Sequence, residues 1–245
     1  MRYALRATLA AAILLAPAFA LAAGSADVTL VVEPLSSAPP LYPGKPVVPL
    51  GGSARVVALA DFTGASGKAI DPASLSYAWN VDGVEQLASE GVGKRVLIAD
   101  APLEYRTSTV TVSVTSADGA LSANASVDLA AAEPIVRIYD RDPLMGVRFD
   151  AALPDTFSLA GSEATLYAAP YSFPTALGAP ALSWFVGGAL SQTGNLITLR
   201  PTGQGAGTAT VSVTAASKGS IDAPAASDSL TVSFGSAGGG GFFGL

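Results

Sequence analysis

The stretch Thr109-Val-Thr-Val-Ser-Val-Thr115 decides the fold, because its valines and its hydroxyl side chains alternate strictly. Successive side chains of a β-strand point to opposite faces, so this strand has one apolar face and one polar face. A near copy, Thr208-Ala-Thr-Val-Ser-Val-Thr214, lies 99 residues further along the chain. Short alternating runs separated by Gly, Pro, Asp and Ser fill the remaining sequence, and they predict an all-β protein.

A tryptophan strand precedes each copy. The two are Tyr77-Ala-Trp79-Asn-Val81-Asp82-Gly83 and Leu182-Ser-Trp184-Phe-Val186-Gly187-Gly188. The tryptophans are 105 residues apart, so both landmarks recur at a period of about 100 residues, which indicates an internal repeat. Asp-Gly and Gly-Gly adopt the positive φ angles of two-residue turns, and we therefore expect each tryptophan strand to begin a hairpin.

Each half resembles a bacterial PKD-type or related immunoglobulin-like domain of exported surface proteins, over residues 24–131 and 132–235. The resemblance implies two tandem β-sandwiches of about seven strands each and an extracellular location. The sequence departs from the PKD pattern at Trp79-Asn-Val-Asp-Gly83, where Trp-x-Phe-Gly-Asp-Gly is typical, and at Ser108 and Gly207, where an aromatic residue is common. Aromatic faces often bind sugars, but we expect Trp79 and Trp184 to fill the sandwich cores.

Residues 1–23 have the pattern of a signal peptide. Arg2 and Arg6 form a basic start, and the following residues up to Ala23 carry no charge. Small residues place the cleavage site after Ala20 or after Ala22. The alternative, an uncleaved membrane anchor, is disfavoured because the run is mostly alanine and contains Pro17. The sequence thus predicts export to the cell surface, the periplasm or the extracellular space, with no membrane span in the mature form.

Composition excludes several classes of function. The chain has 245 residues and contains neither histidine nor cysteine, so Ser-His-Asp triads, thiolate chemistry and the usual zinc sites are absent. The net charge is −6 and the basic residues are scattered, which disfavours a nucleic-acid partner. We therefore expect a protein that is not an enzyme.

A Pro/Gly-rich segment, residues 36–52, separates the first two predicted strands. Its proline density forbids a central strand, so we expect an extended edge segment, with a polyproline ligand as the alternative. The junction Ala130-Ala-Ala-Glu-Pro134 is short and contains proline, which favours a semi-rigid pair of domains.

Four aspartates around the start of the second half are candidate calcium ligands: Asp140, Asp142, Asp150 and Asp155. Calcium binds carboxylate oxygens, and an ion near the junction would stiffen the tandem. The spacing matches no EF-hand loop, and Arg141 lies among the carboxylates, so solvated loop residues are the alternative interpretation. No other cofactor is predicted.

The last ten residues, 236–245, follow the end of the second predicted sandwich near Phe234. The run Gly238 to Gly241 is unsuited to a strand, because glycine contributes no side chain to a core. Beyond it, three apolar residues form a candidate docking element for a partner or another copy: Phe242, Phe243 and Leu245. The alternative is a segment without a specific role.

Taken together, these features predict a non-enzymatic exported envelope or secreted protein that acts in adhesion, in surface structure or as an appendage subunit. Its partners would be other surface proteins or further copies of the chain, since uncharged strands suit edge pairing. The alternative is a carbohydrate-binding or accessory module with a ligand site on its loops. Tyr42, Tyr167 and Tyr171 are the candidate sugar-binding residues.

Overall fold

The computed structural model of the protein describes residues 24–40, 42, 44–202, 205–219 and 223–235. These residues form two β-sandwiches, each with its own hydrophobic core, and contain no α-helix, so the predicted all-β fold is confirmed. No helix among them is long and apolar enough to cross a membrane. The predicted signal peptide, residues 1–23, and the predicted docking segment, residues 236–245, lie outside the described residues.

The first sandwich consists of nine strands in two sheets. They are β1 (Ser25–Pro34), β2 (Val48–Pro49), β3 (Ser53–Thr63), β4 (Ser76–Val81), β5 (Val84–Glu85), β6 (Gly91–Val92), β7 (Val96–Asp100), β8 (Thr107–Thr115) and β9 (Ser122–Ala132). One sheet has the order β1-β3-β7, and the other has the order β2-β9-β8-β4-β5, with β6 also paired to β4. Two short 3-10 turns, Pro72–Ser74 and Leu87–Ser89, lie on either side of β4 and β5.

The second sandwich repeats this arrangement. Its strands are β10 (Ile135–Asp142), β11 (Gly146–Val147), β12 (Thr156–Leu159), β13 (Ala164–Tyr171), β14 (Ala181–Val186), β15 (Ala189–Thr193), β16 (Leu196–Leu199), β17 (Gly207–Ala216) and β18 (Ala225–Phe234). The sheets have the orders β11-β10-β13-β16 and β12-β18-β17-β14-β15. In both sandwiches the first strand belongs to one sheet, and a short strand that follows it, β2 or β12, pairs in parallel with the last strand of the other sheet.

Alternate side chains along the strands point into the two cores, as the sequence predicted. Val110, Val112 and Val114 of β8 are fully buried, while the threonine and serine side chains between them face outward. Trp79 lies opposite Val112, and Trp184 lies opposite Val213 in the second sandwich. The repeated sequence landmarks are therefore repeated core positions.

The two tryptophans are core residues. Trp79 is 1% exposed and Trp184 is fully buried. Each indole nitrogen donates a hydrogen bond to a backbone carbonyl, Trp79 to Lys94 O just before β7 (2.8 Å) and Trp184 to Gly194 O just before β16 (2.9 Å). Buried indoles normally need such an acceptor. The expectation of core packing is confirmed, and neither ring offers a face to a sugar.

Both predicted hairpins form. Asp82 and Gly83 have φ angles of 52° and 86°, and Gly187 and Gly188 have 58° and 82°, as two-residue turns of this hand require. The Asp82 carboxylate accepts hydrogen bonds from the Ser108 hydroxyl and from the Thr109 amide. These bonds lower the pKa of Asp82, the Ser108 bond most strongly. A non-glycine residue is thus held at a positive φ angle by its own side chain.

Candidate functional site at the domain joint

The Pro/Gly-rich segment of the first sandwich reaches across to the second. We call the described residues between β1 and β2, namely 35–40, 42 and 44–47, the strap. The backbone amide of Ser37 donates to Phe173 O (2.8 Å), Ser172 N donates to Ser37 O (3.0 Å), and Thr175 N donates to Leu35 O (3.1 Å). These bonds surround an antiparallel bridge between Ser36 and Pro174. The strap therefore pairs, strand-like, with the loop that follows β13.

The Ser37 side chain fastens the same contact. Its hydroxyl donates to Pro170 O (3.2 Å) and accepts from the Phe173 amide (3.1 Å). Phe173 is fully buried, so its amide has no access to solvent. A buried amide without an acceptor is costly, and the hydroxyl supplies that acceptor.

This contact changes the interpretation of the Pro/Gly-rich segment. The sequence predicted an extended edge segment of its own sheet, and Val48–Pro49 does pair at an edge, next to β9. The preceding residues instead contact the second sandwich, which the sequence did not predict. Proline explains the path, because it removes backbone donors and excludes the segment from the sheets of its own sandwich.

The covalent junction is short. β9 ends at Ala132 and β10 begins at Ile135, so two residues, Glu133 and Pro134, join the sandwiches. Leu50, just after β2, donates its amide to Ala132 O at 2.9 Å. The joint therefore consists of a two-residue linker and the strap, side by side.

Four tyrosines and one phenylalanine gather beside the strap, and we call them the aromatic cluster. Tyr42 of the strap lies edge-on to Tyr171, with ring centroids 5.2 Å apart. The hydroxyls of Tyr171 and Tyr139 are 2.7 Å apart and share a hydrogen bond. Phe149 contacts Tyr139 at 5.2 Å and Tyr167 at 5.7 Å, again edge to face. Such geometry is the favoured arrangement of aromatic rings.

The hydroxyl groups of the tyrosines are the polar groups of the aromatic cluster, and none of its side chains is charged. Burial raises the pKa of Tyr167, and burial together with the hydrogen bond shared with Tyr139 raises the pKa of Tyr171. Both phenols therefore stay protonated at physiological pH and act as neutral hydrogen-bonding groups. Tyr42 is 40% exposed, so part of its ring is open to solvent.

A cavity of about 380 Å³, the joint cleft, opens between the strap and the second sandwich. Six residues give it its chemical character: Tyr42, Lys45, Glu133, Arg137, Tyr139 and Tyr171. The first two come from the strap, Glu133 from the linker, and the others from β10 and the end of β13. Aromatic walls with a few polar groups are typical of small-ligand sites.

Arg137, one of the two cationic residues of the cleft, makes only a long ion pair. Arg137 Nη1 lies 4.0 Å from Asp228 Oδ1, beyond hydrogen-bond distance, and the Arg137 side chain is 51% exposed. Asp228 uses its other oxygen to accept from the amide of Ile138 at 3.1 Å. The Arg137 guanidinium therefore keeps donors available to a ligand.

A larger cavity, of about 820 Å³, also lies at the joint. Its described lining consists largely of glycine, proline, alanine and serine and contains no aromatic ring. It borders residues 220–222, which are outside the described part of the chain. Both cavities are lined by charged residues, but only the smaller joint cleft adds an aromatic stacking surface, so it is the better candidate for ligand binding.

The four candidate calcium ligands do not assemble. The side chain of Asp142 accepts from two backbone amides of the turn that follows it (2.7 and 2.8 Å), which lowers its pKa. Asp150 pairs with Arg148 at 3.3 Å. Asp140 and Asp155 accept backbone bonds through their carbonyls, from Arg148 N and Thr231 N. Within the described residues, no three acidic side chains gather to hold a metal ion.

The structure brings two of the three candidate sugar-binding tyrosines into contact, Tyr42 and Tyr171. Tyr167 does not contact them by ring stacking but lies beside Phe149 and opposite Tyr139. The sequence missed Lys45, Arg137 and Tyr139. Tyr139 could have been found from the alternation of side chains along β10, which places it on the outward face of that strand. In the structure it lies opposite Tyr167 of β13.

No protein-family model matches the chain, and no curated protein matches its sequence. Several solved structures are similar in fold. The three N-terminal domains of the highly immunogenic outer capsid protein of bacteriophage RB49 are 21% identical, with a TM-score of 0.45. That match covers 84% of this chain and 59% of the other chain.

Two further structures match at lower identity. The fibronectin(III)-like modules of Clostridium thermocellum CbhA are 12% identical, with a TM-score of 0.28, over 80% of this chain and 92% of the other. The adhesin InvE of Yersinia pseudotuberculosis is 13% identical, with a TM-score of 0.24, over 85% of this chain and 59% of the other. Likenesses of this order carry no inference about activity or partners. By its own strand order and its two separate cores, the chain is an all-β tandem of immunoglobulin-like β-sandwiches.

Proposed function

We propose that the chain is a non-enzymatic, exported surface protein of the PKD-related type, whose two sandwiches act as one extended unit in adhesion, surface structure or an appendage. The strap is the observation that carries this proposal. A mobile tandem needs only its covalent linker, whereas this joint adds at least five hydrogen bonds between residues more than 130 positions apart in sequence. A second connection that holds two modules in a fixed orientation suits a load-bearing spacer.

The described chemistry supports a role without catalysis. Histidine and cysteine are absent from the sequence. The hydrogen-bonded pair Ser108 and Asp82 resembles a nucleophile beside a base, but Ser108 is 5% exposed and the pair holds a turn. A nucleophile must be reachable by its substrate.

An apolar patch on the first sandwich supports contact with another surface protein or a further copy of the chain. The outward faces of β1, β3 and β7 present Val31, Leu59 and Ile98, which are 45%, 53% and 54% exposed. Neighbouring exposed apolar side chains of this kind mark interaction surfaces.

Export is tested by expressing the full chain with a tag and separating cytoplasmic from extracytoplasmic fractions. We expect the protein outside the cytoplasm, shortened by the predicted signal peptide. Retention of the unshortened chain in the cytoplasm would refute the proposal. Small-angle scattering of the purified protein tests the unit itself, since a fixed tandem gives one maximum dimension across salt concentrations, whereas a flexible pair gives a broad distribution of distances.

A second function, carbohydrate binding as an accessory module, is favoured by the aromatic cluster at the joint. Tyrosine rings supply rigid, amphipathic contact area with two rotatable bonds each, so they bind ligands at a low entropic cost. A glycan array probed with the full chain tests this function. Reproducible saccharide binding supports it, and an array without any binding refutes it.

A further inference from the structure

We infer that the joint cleft is a binding site for saccharides that carry a carboxylate, such as uronic-acid oligosaccharides, and that the site exists only when the strap is docked. This inference rests on the carbohydrate-binding function proposed above. It adds the location of the site, the chemical class of the sugar and the dependence of binding on the domain joint.

The stacking surface comes from both sandwiches. Tyr42 belongs to the strap, and Tyr171 ends β13 of the second sandwich. Their rings meet edge-on at 5.2 Å, and the hydroxyl of Tyr171 is held by Tyr139 at 2.7 Å. Tyr171 is therefore fixed from two sides, and Tyr42 leaves part of its ring open for the apolar face of a sugar.

The charge of the cleft selects the class of sugar. Two of its side chains, Lys45 and Arg137, are cationic and one, Glu133, is anionic, in a chain of net charge −6. The half-exposed Arg137 guanidinium has donors available, and guanidinium groups bind carboxylates through two parallel hydrogen bonds. Glu133 supplies an acceptor for sugar hydroxyls. A neutral sugar would use the stacking surface but offer no carboxylate to the two cations.

The size of the cleft fits a short saccharide. Its volume of about 380 Å³ lies within the range of ~300 to 1,000 Å³ that small-ligand sites occupy. A cavity of roughly 150 Å³ holds one benzene-sized ring, so about two six-membered rings fit. Because the cleft is open to solvent, a longer chain extends out of it without a clash.

The dependence on the strap follows from which residues line the cleft. Tyr42 and Lys45 belong to the strap, which is hydrogen-bonded at Leu35 and Ser37 to residues 172–175 of the second sandwich. If the strap opens, one stacking ring and one cation leave the site together. Ligand binding must then stabilise the docked strap by linkage, since the ligand binds only that state.

The experiment uses the purified full chain and calorimetric titration with a trimer of galacturonic acid and with maltotriose as a neutral sugar of equal length. The informative variants are Tyr42→Ala, Tyr42→Phe and Arg137→Gln. Tyr105→Ala is the matched control, because Tyr105 is 95% exposed and does not line the cleft. Thermal melts of each variant establish that the sandwiches remain folded.

We expect the uronate trimer to bind more tightly than maltotriose, with a dissociation constant that rises with salt. Tyr42→Ala should weaken uronate binding by about tenfold, whereas Tyr42→Phe, which keeps the ring, should retain most of it. Arg137→Gln should weaken uronate binding by about 10- to 100-fold and leave maltotriose unchanged. Tyr105→Ala should bind like the wild-type chain.

The outcomes separate this inference from the function on which it rests. If the glycan array shows no binding, carbohydrate binding itself is wrong. If saccharides bind and the folded Tyr42→Ala variant binds as tightly as the wild-type chain, the location in the joint cleft is wrong and carbohydrate binding stands. Equal affinity for the uronate and the neutral trimer would overturn the selection for carboxylates.

Discussion

Replacing Ser37 with alanine should loosen the strap while both sandwiches stay folded. The substitution removes the acceptor of the Phe173 amide (3.1 Å) and the donor to Pro170 O (3.2 Å). Phe173 is fully buried, and a buried donor without a partner costs about 1–3 kcal/mol. Ser37 itself is half-buried, so water replaces part of the lost bond to Pro170, and the total stays near that range.

A loss of about 1–3 kcal/mol multiplies the opening of the strap by about 5 to 150. Amide hydrogen exchange measures this opening directly. The amides of Ser172, Phe173 and Thr175 should exchange faster by that factor, because their hydrogen bonds lie within or beside the contact. Amides of β8 and β17, deep in the two cores, should keep their protection.

Ser126→Ala is the control, because Ser126 lies on the exposed outer face of β9. That variant should leave exchange at residues 172–175 unchanged. Unaltered exchange of the Phe173 amide in Ser37→Ala would refute the role assigned to the strap. An equal loss of protection throughout the chain would also refute it, since the substitution would then destabilise the fold and not the joint.

Three further predictions concern the sandwiches. Trp184→Ala should lower the free energy of unfolding of the second sandwich by about 3–5 kcal/mol in urea denaturation, whereas Leu190→Ala, at a 63% exposed position, should change it by less than about 0.5 kcal/mol. Asp82→Asn should make the free energy of unfolding depend less on pH in acid. The lowered pKa of the Asp82 carboxylate gives stabilisation that is complete above pH of about 4, the ordinary pKa of an aspartate, and is lost as pH falls through the pKa of the folded state. Urea midpoints between pH 2 and pH 6 measure this dependence, and an unchanged dependence on pH in the variant contradicts the role of the Ser108 bond. Millimolar calcium or a chelator should leave the melting temperature unchanged, since the four aspartates, two in β10 and two in the segments after it, do not gather around one point. A shift of several degrees would show that an ion gathers them.

The hairpin at Asp82 shows why much of the fold was predictable. A two-residue turn depends on the φ angles of its own residues, and Asp-Gly indicates such a turn without reference to distant parts of the chain. The same holds for the alternation in β8, which assigns faces from a period of two. The turn's anchor was not predictable in this way, because Ser108 lies 26 residues from Asp82 in sequence.

The acidic residues show the opposite case. Asp140, Asp142, Asp150 and Asp155 are close in sequence, and that proximity suggested a common ion. In the structure the carboxylate of Asp142 caps its own turn, and Asp150 pairs with Arg148. Acidic residues that are close in sequence need not be close in space. A metal site requires carboxylates that point at the same ion, and the path of the backbone determines whether they do.

From the sequence by itself we could predict the long alternating strands and the buried face of β8, the core position of both tryptophans, the two hairpins and a strand that ends near Phe234, but not the short strands that bring each sandwich to nine. Each of these follows from local rules: side-chain period, turn stereochemistry and the low strand propensity of glycine. Only the tertiary structure decided that the strap crosses the joint and that a cleft forms beside it. The contact of Ser37 with Phe173 spans 136 residues. Hydrogen bonds between such distant groups leave no periodic signal in the sequence, because they depend on how two separately folded cores are placed against each other.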